Sequence, residues 1–324
     1  MTLPIRSVGS AFGPSAGWRA AQAAGLVALA GLLAGSWLQP GRFLPLFWNV
    51  VLPLLPLSFL TTPAIWRGVC PLATLNMLTG KWGRRRLGGR FVPWAGTAGM
   101  LLLAVIVPAR KFLLQSDGVA FVVLVGGVSL LALVLGTVFE AKAGFCNSIC
   151  PVLPVERLYG QRPLVRLGNP RCGECELCTP RGCLDLADTR AVPQTLGPTR
   201  RSAGWLNTAF GAFAAGFPGF VFGFGTMAEV EPAQAAMVYV YMGLCVTASY
   251  LATRVVVKTA QLRAEQVLPV LAGLAAGMYY WFAAPGTAET LALGPVGVWT
   301  IRGAALGFVA WWLARGIRPE PVPS

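Results

Sequence analysis

The chain contains no histidine. That absence removes bis-histidine haem ligation, histidine–zinc sites and a histidine general base, so metal or redox chemistry would fall to thiolates. Charge is also scarce: 12% of the 324 residues are charged, where a soluble domain carries about 25%. Acidic residues are the rarer sign, 12 against 26 basic ones. No phosphate-binding glycine loop is present. The glycines of Gly211–Gly225 lie in an apolar run with no Lys-Ser/Thr pair and no preceding strand, and they read as helix packing. Met1–Arg19 sets Pro4, Arg6 and Pro14 ahead of any apolar run, unlike a cleaved signal peptide.

Apolar residues fill the space that charge leaves. They make up 55% of the chain, and the mean hydropathy is +0.63. A hydrocarbon core of ~30 Å needs about 20 residues of helix, and eight stretches meet that length: Ala20–Leu38, Phe43–Ile65, Phe91–Val107, Val119–Phe139, Trp205–Phe224, Ala235–Leu251, Val267–Phe282 and Leu291–Leu313. The fifth, rich in glycine and holding Pro218, is expected to be an irregular helix. The expected class is therefore an all-α integral membrane protein of about eight transmembrane helices. The lipid bilayer is its first partner.

The net charge of +14 would suit nucleic acid, but its distribution argues against that partner. With the N-terminus inside, 22 of the 26 basic residues fall in inner segments. Arg42, Arg110 and Lys111 fall outside, and Arg302 lies within the last span. The positive-inside rule then orients both termini, and the long polar segment Glu140–Gly204, toward the cytoplasm of a bacterial-type inner membrane. Seven of the eight cysteines come to the same side, where a reducing compartment keeps thiols available as ligands. Only Cys245 falls inside a span, where packing is its expected role.

Sliding the chain by 80 residues lays Cys70–Arg90 on Cys150–Pro170 without a gap. Cys70/Cys150, Pro71/Pro151, Leu78/Leu158, Gly80/Gly160, Arg86/Arg166, Leu87/Leu167 and Gly88/Gly168 coincide. Each copy follows the second span of a helix pair, so the unit is a hairpin ending in a Cys-Pro loop, used twice. Residues 1–90 form the first repeat and 91–170 the second. A cysteine-rich segment, 171–204, follows, and 205–324 supply four further spans. The copies differ at one telling position: Cys146-x3-Cys150-Pro151 answers to Trp66-x3-Cys70-Pro71.

Arg171–Cys183 reads RCGECELCTPRGC. The C-x2-C-x2-C run of Cys172, Cys175 and Cys178 is the compact tripod of a cubane iron–sulfur cluster. Structural zinc, which favours two separated knuckles, is the competing reading. In two-cluster ferredoxins a fourth cysteine followed by proline serves the other cluster. Here Cys183 is followed by Leu184, and the Cys-Pro pairs stand in the repeats instead. On Cys146-x3-Cys150-Pro151, Trp66-x3-Cys70-Pro71 and Cys172-x2-Cys175-x2-Cys178 with Cys183, the chain resembles the membrane-bound polyferredoxin family. That family includes the nitrous-oxide-reductase regulators and the membrane ferredoxin of periplasmic nitrate reductase systems.

The resemblance covers roughly Trp66–Cys183 and implies a small cytoplasmic ferredoxin-like region that holds [4Fe-4S] clusters. One is expected on Cys172, Cys175, Cys178 and a Cys-Pro cysteine, Cys70 or Cys150. A second would use Cys146, Cys183 and what remains. It implies electron transfer, with membrane or peripheral redox partner proteins and a quinone as candidate partners, by an electron-transfer subunit rather than a stand-alone enzyme. The alternative is an accessory or assembly subunit whose cluster is structural. Apart from Arg302, the spans hold almost no charge to line a transport path. Arg302 itself is expected to snorkel or to pair, with Glu289 the candidate acid, or to meet a quinone or lipid head group.

Overall fold

The computed structural model describes residues 16–85, 91–139, 144–165, 196, 199–200 and 202–317. Among them there is no strand, only one isolated bridge between Arg85 and Phe139. Eight helical segments are long and apolar enough to cross a bilayer: Ala16–Leu38, Pro40–Thr61, Trp94–Leu114, Gly118–Val138, Ala209–Thr226, Pro232–Thr259, Ala264–Thr290 and Gly294–Arg315. This is a multi-pass helical membrane protein by length and composition. Each segment overlaps one of the eight apolar stretches of the sequence.

The first span is helix α1 (Ala16–Leu38). Proline breaks the second into α2 (Pro40–Leu46), a π-helical turn Phe47–Val51 and α3 (Leu54–Thr61). Pro45 sits inside α2 and Pro53 caps α3; each lacks an N–H and crowds the preceding turn, so the regular ladder cannot run through. The expected single run of Phe43–Ile65 is also shortened at its far end. Thr62 precedes Pro63 and is extended (φ −164°, ψ 89°), the conformation that a following proline favours. Two short helices follow, α4 (Pro63–Val69) and α5 (Pro71–Gly80), with Cys70 as the hinge between them.

The second repeat is more regular. Helix α6 (Phe91–Ala109) runs into a π-helical turn, Arg110–Leu114, and α7 (Gly118–Val138) returns. Asp117 starts α7 by accepting hydrogen bonds from the Val119 and Ala120 amides, the usual answer to unpaired N–H groups at a helix start. After the turn 144–149 comes α8 (Leu153–Tyr159), seven residues long. It is buried among α3, α6 and two helices of the C-terminal half.

That half consists of α9 (Ala209–Thr226), α10 (Ala235–Thr259), α11 (Ala264–Thr290) and α12 (Gly294–Ile317). Helix α9 is continuous despite Pro218, which corrects the expectation of an irregular fifth span. Its glycines form a seam. A Cβ at Gly219 would stand 2.1 Å from the Cys245 carbonyl oxygen, and one at Gly223 would stand 3.2 Å from the Cys245 sulfur. Small residues let the two backbones close up where lipid offers no hydrophobic drive to associate. Cys245 is thus a packing residue. More than half of each most apolar window of α9 and α11 is buried inside the protein, so these two helices form the centre, while the other six spans are largely lipid-facing.

Exposed tryptophans mark both rims. Trp37 and Trp299 lie near one face, where α1 ends and α12 begins; Trp82, Trp94 and Trp311 lie toward the other. Indoles settle at the two interfaces of a bilayer for their mixed polarity.

Candidate functional site

The chemistry-bearing residues of the two repeats converge at one end of the bundle. Cys70 turns the chain between α4 and α5, with Pro71 at the first helical position. Cys150 precedes Pro151 and is followed within three residues by α8. The two lie close enough that Cys70 adds to the shift of the Cys150 thiol. Cys150 keeps some surface exposure, yet the protein packed around it, and next the neighbouring Cys70, push its thiol up to about 12. None of the four described cysteines, Cys70, Cys146, Cys150 and Cys245, is in a disulfide.

The 80-residue offset recurs in a direct contact. The Arg67 guanidinium donates to the side-chain oxygen of Asn147, its counterpart in the other repeat, and the bond is buried. The same guanidinium lies 3.7 Å from Glu156 of α8, their side chains being 3% and 7% exposed. Charge buried this far survives only when paired. Ser148 donates to the Gly144 carbonyl at 2.5 Å and holds the turn that carries Asn147.

Each Cys-Pro turn is also pressed by the leading helix of its own hairpin, through a glycine. A Cβ at Gly25 of α1 would stand 3.0 Å from the Val69 carbonyl oxygen. In the second repeat a Cβ at Gly99 of α6 would stand 2.9 Å from the Cys150 oxygen and 3.2 Å from that of Ile149. Val69 and Ile149 are the residues before the two cysteines. Gln22 on α1 adds a hydrogen bond to the Gly68 carbonyl at 3.0 Å.

Position 66, where the second repeat has Cys146, is taken by an indole. Trp66 makes an edge-to-face contact with Phe59, ring centroids 6.1 Å apart, and packs against the main apolar core. It serves packing where its counterpart offers a thiol.

The C-terminal half grips the chain as it leaves this site. Trp312 donates its indole N–H to the Arg162 carbonyl at 2.9 Å, and Arg315 donates to the carbonyls of Pro163 (3.0 Å) and Leu164 (3.4 Å). The Leu164 and Val165 amides bond back to the Leu60 and Thr61 carbonyls at the end of α3. Residues 162–165 are thus held between both halves of the protein, shortly before the cysteine-rich run begins.

The structure therefore places Cys70 and Cys150, both half-buried, at the same end of the bundle as the buried Arg67, Asn147 and Glu156. Cys172, Cys175, Cys178 and Cys183 lie outside the described residues. Among the described residues, no group of three or more cysteine or carboxylate side chains is assembled that could hold a metal ion. Arg67, Asn147, Glu156 and the two glycines were not singled out by motif. Only the 80-residue offset, extended three residues upstream of Cys70, pairs Arg67 with Asn147. The chain matches no family model, no curated protein and no solved structure.

Proposed function

We propose that this chain is a membrane-anchored iron–sulfur protein of polyferredoxin type, passing electrons between a quinone or cytoplasmic-side donor and a partner redox complex. The observation that supports this reading is the proximity of Cys70 and Cys150, one from each repeat, near the Arg67–Asn147 contact that joins equivalent positions of the two repeats. In a reducing compartment two such thiols are available as ligands rather than as a disulfide. They supply part of a thiolate set. The Cys172, Cys175 and Cys178 tripod and Cys183 would complete it on sequence grounds, and Cys146 stands in the turn before Cys150.

The charge asymmetry of the loops supports a bacterial-type inner membrane, with both termini and the cysteine motifs on the cytoplasmic side. When bound, a [4Fe-4S] cluster would supply one-electron transfer. The protein's own residues do the remaining work. The pairing of Arg67 with Asn147 and Glu156 fixes the two Cys-Pro turns against each other, and the glycine contacts of α1 and α6 hold each turn from behind.

The second reading, an accessory or assembly subunit with a structural cluster, is favoured by Trp66. An indole in place of a thiol reduces the thiolates on the cysteine-motif face to seven. Iron and acid-labile sulfide analysis of protein purified without oxygen tests the shared premise, and metal-free preparations would end both readings. Dithionite reduction followed by electron paramagnetic resonance separates them, because a cluster with no accessible second redox state belongs to the structural role.

A further inference from the structure

Arg302 lies inside the last membrane-crossing helix, about 12 Å along it from Gly294, and its surroundings differ from a simple ion pair. Its Nε donates to the backbone carbonyl of Trp281 on α11 at 3.1 Å. Its guanidinium lies 4.2 Å from the ring centroid of Trp281 and 5.2 Å from that of Trp299. The two indoles are edge-to-face, 6.1 Å apart, so cation and rings form a three-sided box across α11 and α12. Neither Glu289 nor any other described acid pairs with it. The N–H bonds of both Nη atoms have no acceptor among the described residues.

We infer that Arg302, Trp281 and Trp299 form a lipid-facing site for the phosphodiester of an anionic phospholipid in the leaflet nearest the α11–α12 turn. Trp299 is 63% exposed and Trp281 37%, so the box opens outward, away from the buried centre of the bundle. Hydrocarbon offers no acceptor to a guanidinium, and an arginine at this depth must find one. Helix α12 is about 36 Å long against a core of ~30 Å, so its first turn stands outside the hydrocarbon and Arg302 can snorkel toward the headgroup layer. With Nε committed to a carbonyl, the two Nη groups present the planar fork that phosphate accepts. The rings fix that fork in place, and their N–H edges suit the interface. A net anionic headgroup balances the intramembrane cation; a quinone carbonyl would leave it unbalanced.

Native mass spectrometry of the full chain in nonionic detergent tests this, with dioleoylphosphatidylglycerol as the probe and dioleoylglycerol as the control lacking the phosphate. The native protein should retain the phospholipid about tenfold more tightly than the control, and Arg302→Gln should abolish that preference. Trp299→Leu leaves the Trp281 carbonyl contact in place and should weaken retention several-fold; it serves if the arginine variant fails to fold. Equal binding of the two lipids by native protein overturns the assignment, as does undiminished phospholipid binding in both variants. Displacement by inorganic phosphate would mean that the site reads the anion without its acyl chains, which also overturns it, and so would retention of ubiquinone in preference to the phospholipid.

Discussion

Arg67 hydrogen-bonds to Asn147, the residue that occupies its own place in the second repeat. A contact between equivalent positions is what a two-fold relation between halves produces, as at the isologous interface of a dimer. Here both halves belong to one chain, and the relation has become unequal. Arg67 faces an amide rather than a second arginine, which would repel it, and takes its counter-charge from Glu156. The position equivalent to Glu156 is Asn76, which is buried and donates to the Ala132 carbonyl at 2.8 Å. Each half thus keeps one charge and one amide, at opposite positions of the pair.

That asymmetry sets the first prediction. Arg67→Ala removes the guanidinium from a buried carboxylate and should cost about 3 kcal/mol or more, as breaking a buried pair does. Arg67→Ala with Glu156→Gln should recover much of the loss, since neither charge then remains. Thermal unfolding of the single and double variants in detergent measures the coupling. Strictly additive losses would show that the two groups do not depend on each other.

The glycine contacts give a comparison with its own control. Gly99→Ala places a methyl group 2.9 Å from the Cys150 carbonyl oxygen, a backbone atom that cannot swing away. Gly96→Ala, one turn earlier on α6, meets nothing within 4 Å. The first should destabilise by about 1–3 kcal/mol through overcrowding, and the second should be neutral or slightly stabilising through its better helix propensity. Matching melting temperatures for the two variants would show that α6 does not press on the Cys-Pro turn.

The crossing helices were legible because lipid requires long apolar runs, and eight such runs leave little choice. The ends of those runs were not. Thr62 is no more polar than Thr61 before it, and only the proline after it stops the span. Helix α8 was hidden for a different reason: Leu153–Tyr159 is too short to carry a periodic signal, and Glu156 with Arg157 reads as surface charge until the structure buries them. At the site, identity across the repeat pointed to Cys70 and Cys150. It passed over Arg67 and Asn147, which correspond in place but not in kind. The grip of Trp312 and Arg315 on residues 162–165 left no trace at all, because its acceptors are backbone carbonyls that every sequence has.

The Cys150 thiol gives a pH dependence. Its folded value is raised to about 12, above the ordinary thiol range near 8.5. A raised group contributes stability fully below its unfolded pKa and loses that contribution as pH climbs through the folded value. Metal-free protein should therefore weaken between about pH 8.5 and 12, an effect that Cys150→Ser would remove. In the same protein at pH 8, iodoacetamide should modify Cys150 roughly a thousandfold more slowly than an unhindered thiol, since the thiolate is the reactive form. Rapid labelling there, read by peptide mass spectrometry, would contradict the shift.

The last prediction concerns the C-terminal half. Arg315→Gln shortens a side chain that makes two hydrogen bonds to the carbonyls of Pro163 and Leu164. Both acceptors are partly buried, and the loss should be about 1–2 kcal/mol. The amides of Leu164 and Val165 would still hold the segment to α3, so the bundle should stay folded while residues 162–165 are less firmly held. On the proposed function, iron content per chain should then fall in Arg315→Gln while the melting temperature drops by only a few degrees. Trp312→Phe, which loses one indole bond to Arg162 but keeps most of the ring's packing, should act in the same direction and more weakly. If both variants hold native iron, the four C-terminal helices do not support the cysteine segment, and their contact with residues 162–165 serves the bundle alone.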